Sequence, residues 1–323
     1  MKGLAGKQAD GMGLFGAKSG SAGGKIPFRQ RFKAWWEGYG LEEPAAEEEA
    51  VAEEPSDGFG ALPAEPLPPL EEPIVKLLMA IWGEGNSKPG DGEYFLYLVK
   101  PFALNETMSL LDFGCGLGGG TRSVAKAFDI YVAGLDSDKL MADAGKMISV
   151  RQGLDKKAMI GHFDARASPL KPAQYDCIIC VDRMHTILAK TDTLKALATA
   201  MKPRGQITIT DIILGEGVSA DDERLMTVLG EGASRSQFWS LGAYQKGFKE
   251  LKLDLRISED IGERYRKLVT EAWDAFTKRP EGQAVSRAYP QLTVTEAEYW
   301  QRLMLAMDAG LLRIYRFYAI KVG

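Results

Sequence analysis

The chain has 323 residues, 26% of them charged, with a formal net charge of −4. That is ordinary for a soluble globular protein and lacks the basic excess that a nucleic-acid partner requires. No apolar run approaches the roughly 18 residues of a membrane span, and the first residues lack the apolar core of a secretory signal. Cys115, Cys177 and Cys180 fall in or beside apolar strand-like runs. They are expected to be reduced thiols of a cytoplasmic protein, with no disulfide framework and no metal site.

Residues 1–24 are rich in Gly, Ala, Ser and Lys without a sustained period, which predicts disorder. In residues 25–41, Lys25, Arg29, Arg31 and Lys33 alternate with Phe28, Phe32, Trp35, Trp36 and Tyr39. The aromatic spacing is helical, giving a short basic-aromatic amphipathic helix. Such an arm suits a protein partner or an anionic membrane surface; packing back on its own domain is the other reading. Residues 42–69 are acidic and then proline-rich, as an extended linker is, so the folded domain is expected over 70–323.

Pro73–Trp82 and Glu93–Lys100 read as helices, joined by the glycine-rich Trp82–Gly90, either a lid or a plain turn. Met108–Phe113 is a short apolar run, as expected of a strand buried on both faces of a parallel sheet. Gly114, Gly116, Gly118, Gly119 and Gly120 follow, then Thr121 and an apolar-periodic helix to Phe128. Glycines there permit a tight turn and close approach of a ligand, while the helix start turns free N–H groups towards it. A second strand, Ile130–Leu135, ends in Asp136, whose carboxylate suits the two hydroxyls of a ribose. This pattern predicts a nucleoside-cofactor site.

Lys139–Val150 is expected as a helix, Ala158–Gly161 as a third strand ending in His162-Phe163-Asp164-Ala165, and Tyr175–Val181 as a fourth. Asp182-Arg183-Met184-His185 then emerges at that strand's carboxyl end, where open α/β sheets bind ligands. Leu194–Met201 reads as a helix and Gln206–Leu214 as a fifth strand with Asp211 near its end. Tyr244–Leu251 reads as a helix and Leu253–Ile257 as a sixth strand. Two more helices are expected: an amphipathic one over Asp260–Phe276, and a last one opened by a Thr295-x-x-Glu298 capping box and running through Met307. Leu312–Val322 is the final strand. The fold class is therefore α/β: a Rossmann-like, mostly parallel seven-stranded sheet with an antiparallel last strand. A helical cap is inserted at about 260–308 and an N-terminal extension precedes the domain. The inserted helices would serve as an acceptor-side cap or a dimer interface.

Asp112-Phe-Gly-Cys-Gly-Leu-Gly-Gly-Gly120 closely resembles motif I of the class I S-adenosylmethionine (SAM) methyltransferases. The resemblance extends to small-molecule N-methyltransferases of the phosphoethanolamine and sarcosine/dimethylglycine type. It is carried there by Trp82-Gly83-Glu84-Gly85 with Pro89-Gly90, by Ile209-Thr210-Asp211 and by Leu255–Asp260. It implies SAM as cofactor, its amino-acid part beside the glycines, its ribose on Asp136, its adenine near Asp164 and Phe163. The cofactor-binding set is then Asp112, Gly114, Cys115, Gly116, Gly118, Asp136, Ser137, Asp164, Ala165 and Val181. His185 lies where the phosphoethanolamine enzymes carry a catalytic His. Two of that family's tyrosines are replaced here, by residues near Leu70 and by Ile212, which favours a less charged amine or a lipid-like acceptor.

The expected activity is direct methyl transfer to a small-molecule acceptor, with His185 as base and Trp82, Arg183, Trp239 and Tyr265 around the acceptor. Arg235 is a further candidate for an acidic acceptor, and Tyr244 for the acceptor pocket. Two other readings stay open: a protein of this fold that binds SAM without transferring the methyl and recruits a partner through residues 25–41, and a dinucleotide-dependent oxidoreductase using the same glycines.

Overall fold

The computed structural model describes residues 67–167, 169–230 and 238–322, within the unit Pro63–Gly323. The expected N-terminal extension, its helix over 25–41, most of the linker and Arg235 lie outside the described residues.

Two helices, α1 (Pro73–Trp82) and α2 (Gly92–Val99), precede the first strand. Then β1 (Ser109–Phe113), α3 (Gly119–Phe128), β2 (Tyr131–Asp136), α4 (Lys139–Arg151) and β3 (Ala158–His162) alternate. The chain next crosses to the other side of β1 with β4 (Tyr175–Val181), α5 (Lys190–Ala200) and β5 (Met201–Leu214). Two helices, α6 (Glu223–Leu229) and α7 (Leu241–Glu250), lead to β6 (Leu253–Asp260). Three further helices, α8 (Gly262–Lys278), α9 (Pro280–Ala288) and α10 (Pro290–Asp308), precede β7 (Leu312–Lys321).

The seven strands form one sheet in the order β3-β2-β1-β4-β5-β7-β6, and β7 is antiparallel to both its neighbours. This is the Rossmann-like arrangement expected. Leu111 pairs with Ala133 on one side and Ile178 on the other, and all three are buried because helices cover both faces. On one face Leu194, Leu197, Tyr244, Phe248 and Phe317 close over Ile178, Ile207 and Ile209, with the Tyr244 and Phe317 rings stacked 4.5 Å apart. The chain order reverses between β1 and β4, which opens a crevice at their carboxyl ends.

The structure corrects three expectations. The last helix starts at Pro290, with Tyr289 as its N-cap, not at a Thr295 capping box. Thr295 lies inside that helix and donates its hydroxyl to the Gln291 carbonyl (3.0 Å). A proline with no N–H to lose and a preset φ starts the helix there, as Pro280 starts α9. The insert therefore holds three helices instead of two. α9 was hidden by its weak apolar pattern and by Gly282, whose missing Cβ lets α9 lie against the Phe276 carbonyl. Lastly, β5 begins at Met201, within what reads as a helix end and turn. A bulge takes up the extra residues, for Tyr175 pairs with Met201 while Cys177 pairs with Gln206.

Candidate functional site

The turn from β1 into α3 is built on left-handed glycines, with φ of 76° at Gly114, 56° at Gly116 and 78° at Gly118. Gly116 has no room for a Cβ, which would meet the Ser87 hydroxyl. Two buried carboxylates hold the turn. Asp112 accepts the Thr121 hydroxyl at Oδ2 (2.7 Å), tying β1 to the first turn of α3. Asp136, 5% exposed, accepts the Gly116 N–H at Oδ2 (2.7 Å) and the Asp138 N–H at Oδ1 (2.8 Å). Burial raises the Asp112 carboxyl above the usual aspartate range, against the pull of Lys88 and Thr121. Burial also pushes the Cys115 thiol well up, and the two nearby acids add to it.

Beside the turn a cleft of about 420 Å³ opens at the carboxyl ends of β1 to β4. Gly114, Leu135, Ser137, His162, Phe163, Asp164, Ala165, Arg183 and Ile187 are among its lining. Phe163 meets Phe113 edge-on at 5.4 Å, presenting an aromatic wall. Asp164 Oδ1 accepts the Arg166 N–H (2.8 Å), which fixes the carboxylate at the rim. The Arg183 stem lies over Gly114, and its guanidinium donates to the Ser137 hydroxyl (2.5 Å), bridging β4 to β2.

The segment after α1 folds down on the turn. Arg122, 3% exposed on α3, donates to the Leu117 carbonyl (2.8 Å) and, from its other nitrogen, to the Gly85 carbonyl (2.9 Å). Burial lowers its guanidinium to about 10. Ser87 Oγ accepts the Leu117 N–H (3.3 Å). Lys88 reaches past both and donates to the carbonyls of Gly114 and Val181, each at 2.6 Å.

Past β4 the backbone turns sharply at Asp182, φ 48°, into a one-turn 3-10 helix, Met184–Thr186. The Lys190 ammonium, buried at the start of α5, donates to the carbonyls of Met184 and Ile187 and pins this turn. His185, 7% exposed, faces β5. Asp211 Oδ1 accepts its backbone N–H (2.7 Å) and lies 3.0 Å from its ring Nδ1. The Tyr244 hydroxyl donates to the other oxygen of Asp211 (2.6 Å), and Phe238 stacks parallel on the imidazole. Asp182 accepts the Thr210 hydroxyl at Oδ1 (2.7 Å). Burial raises its carboxyl, opposed by Thr210, Lys88 and His185. Tyr265 of α8 and Tyr94 of α2 lie close enough that the charge of Asp182 adds to the upward push of burial on both phenols.

Of the residues singled out from sequence, Gly114, Ser137, Asp164, Ala165 and Arg183 line the cleft. Asp112, Cys115, Gly116, Gly118 and Asp136 form the turn beneath it, and Val181 presents its carbonyl there. Tyr265 comes to Asp182. Trp82 and Trp239 do not line that cleft. Trp82 packs on Trp300 (4.8 Å) and Trp273 (6.5 Å) between α1, α10 and α8, and Trp239 on Tyr244 (5.2 Å). Lys88, Arg122 and the Tyr244–Asp211 hydrogen bond escaped the sequence reading of the site, which names Tyr244 only as a candidate acceptor-pocket residue. Only Arg122 left a trace, as a lone cation on the face of α3 that otherwise buries Val124 and Ala125. No three-residue cluster of His, Cys, Asp or Glu suited to a metal occurs among the described residues, and no described helix is long and apolar enough to cross a membrane.

Residues 110–205, spanning the glycine turn, the cleft and β4, match the family described as methyltransferase domain. Relatives of the chain include 27-O-demethylrifamycin SV methyltransferase of Amycolatopsis mediterranei, 26% identical over 52% of this chain and 61% of that one. Phosphoethanolamine N-methyltransferase 2 of Caenorhabditis elegans is 25% identical over 47% of this chain and 35% of the relative. The chain spans about half the length of the curated relatives it matches. The chain also shares its fold with phosphoethanolamine N-methyltransferase 2 of Haemonchus contortus, solved with phosphomonomethylethanolamine and S-adenosylhomocysteine. That likeness has a TM-score of 0.65 at 20% identity, over 79% of this chain and 58% of the other.

Proposed function

We propose that the chain is a SAM-dependent methyltransferase acting on a small-molecule acceptor, an amine or a lipid-like compound. The observation that carries this is the glycine turn clamped by Asp136 beside a cleft with an aromatic wall and a rim carboxylate. The residues present fit SAM: the turn is so tight that a Cβ at Gly114 would run into the Arg183 stem and one at Gly116 into Ser87, and the cleft beside it carries the Phe163 ring and the Asp164 carboxylate. Asp136 would hold the ribose, Asp112, Cys115 and Gly118 would shape the turn, and Ser137, Asp164, Ala165 and Phe163 would enclose the base. SAM supplies, when bound, a methyl group on a positive sulfonium, an electrophile that needs alignment and exclusion of water more than acid–base help.

The acceptor side is built from His185, Asp182, Tyr265 and Tyr94, with Arg183 at the boundary to the cofactor cleft. Asp211 engages Nδ1 of His185 and so assigns Nε2 to the acceptor, the geometry of an oriented general base. Tyr244 fixes Asp211 in turn. A base serves an acceptor that arrives protonated or as a hydroxyl. We further infer a reducing, cytoplasmic setting from three buried free thiols, and docking of residues 25–41 on a protein or an anionic membrane surface.

The test is methyl release from radiolabelled SAM over amine and lipid fractions. Label transferred to a small molecule supports the proposal; SAM bound without transfer to any fraction contradicts it.

A further inference from the structure

Lys88 occupies the centre of the sheet's carboxyl edge. Its two bonds go to Gly114, which follows β1, and Val181, which ends β4. These strands flank the point where chain order reverses. Two buried carboxylates, Asp112 and Asp182, feel the Lys88 charge. Asp112 keeps Oδ1 without a hydrogen bond among the described residues, while Asp182 lies against the Tyr265 phenol. Two carbonyls converge on one point with two acids in range, which is a site built for a cation. The chain fills it with a side chain of its own.

We propose that Lys88 is an internal ligand of the subsite that receives the α-ammonium of the cofactor, so that SAM and S-adenosylhomocysteine bind by displacing it. This rests on the cofactor assignment above. One pair of carbonyls cannot serve two ammonium groups, since like charges a few ångströms apart repel. The segment that carries Lys88 is bounded by glycines: Gly83, Gly85 and Gly90 take φ of 93°, 75° and 110° on either side of it, backbone that other residues rarely adopt. Its ties to the turn are few: Ser87 Oγ with the Leu117 N–H, and the Gly85 carbonyl with Arg122. Self-occupation lowers apparent affinity by the fraction of molecules in which the subsite is taken. It also gives the chain a group to put back when product leaves.

Titration calorimetry of the full chain with S-adenosylhomocysteine tests this, because that compound keeps the α-ammonium but lacks the sulfonium charge. Lys88→Met and Lys88→Ala are expected to bind it about tenfold tighter or more than the unaltered chain. Equal or weaker binding by both variants, with the unaltered chain binding, overturns the displacement and leaves the cofactor assignment standing. Absence of binding in all three removes both. A second measurement needs no variant: acylation of Lys88 in the unaltered chain, followed by mass spectrometry, is expected to speed up when S-adenosylhomocysteine is added. Slower acylation contradicts displacement.

Discussion

His185 is held by two bonds to one carboxylate oxygen, so its ring orientation depends on Asp211 more than on its own rotamer. Asp211→Asn puts an amide where a carboxylate accepts from both groups. Turnover is expected to fall about 100-fold or more, the range of an acid–base contribution, with S-adenosylhomocysteine binding near normal. His185→Ala should match it, and a double variant should lose little more than either alone, because the pair acts as a unit. Unchanged turnover in His185→Ala removes it from the chemistry. A second acid tests burial instead of catalysis. Burial raises the Glu296 carboxyl although the Trp300 indole N–H donates to it (2.8 Å). The folded chain then keeps this proton to a higher pH than the unfolded chain, so stability falls as pH rises from about 4.5 through the folded value. Glu296→Gln keeps an acceptor for the indole and removes the charge. Its melting temperature is expected to equal the parent's near about pH 4 and exceed it near about pH 7.5. The reverse order at the higher pH contradicts this.

At the scale of elements, the short strands and helices followed their residues. Pro73–Trp82 was legible to the residue because proline opens the helix and Gly83, at φ 93°, ends it. β1 and β4 announced themselves as apolar runs between polar turns, as strands buried on both faces must. The glycine turn with Asp136, and Asp164 after β3, were visible because a run of glycines between strand and helix and an acid at a strand's end are marks of local sequence. The misses share a cause in tertiary contact. α9 exists because Gly282 packs on a neighbouring helix, and β5 starts early because β4 offers it a bulged edge. Lys88 and Arg122 act across 26 and 37 residues of sequence on backbone carbonyls, which have no sequence signature. Arg122 joins α3, the glycine turn and the segment before α2. Arg122→Met would leave the Gly85 and Leu117 carbonyls unpaired, at a cost of about 3 kcal/mol. Urea denaturation should show it as a lowered midpoint with an unchanged slope. A loss under about 0.5 kcal/mol would mean water replaces the guanidinium readily.

At the scale of the whole molecule, the cleft opens at one edge of the sheet while the interior of the sheet is sealed. Cys177 and Cys180 belong to the sealed part: burial pushes the Cys177 thiol up to about 12 and the Cys180 thiol beyond it. All three free thiols are buried, so an aromatic disulfide reagent at neutral pH is expected to find none in the folded chain and three after denaturation. Rapid reaction of one thiol before unfolding would show that the glycine turn opens around Cys115.

The sheet edge itself is tested most directly by calorimetry with S-adenosylhomocysteine and NAD, on the parent chain and Asp136→Asn. The cleft is expected to bind the homocysteine compound in the micromolar range and to ignore NAD. Asp136→Asn should weaken that binding about tenfold or more, through loss of a charge-assisted pair of hydrogen bonds. Binding of NAD in the cleft, or S-adenosylhomocysteine affinity indifferent to Asp136, would contradict the assignment.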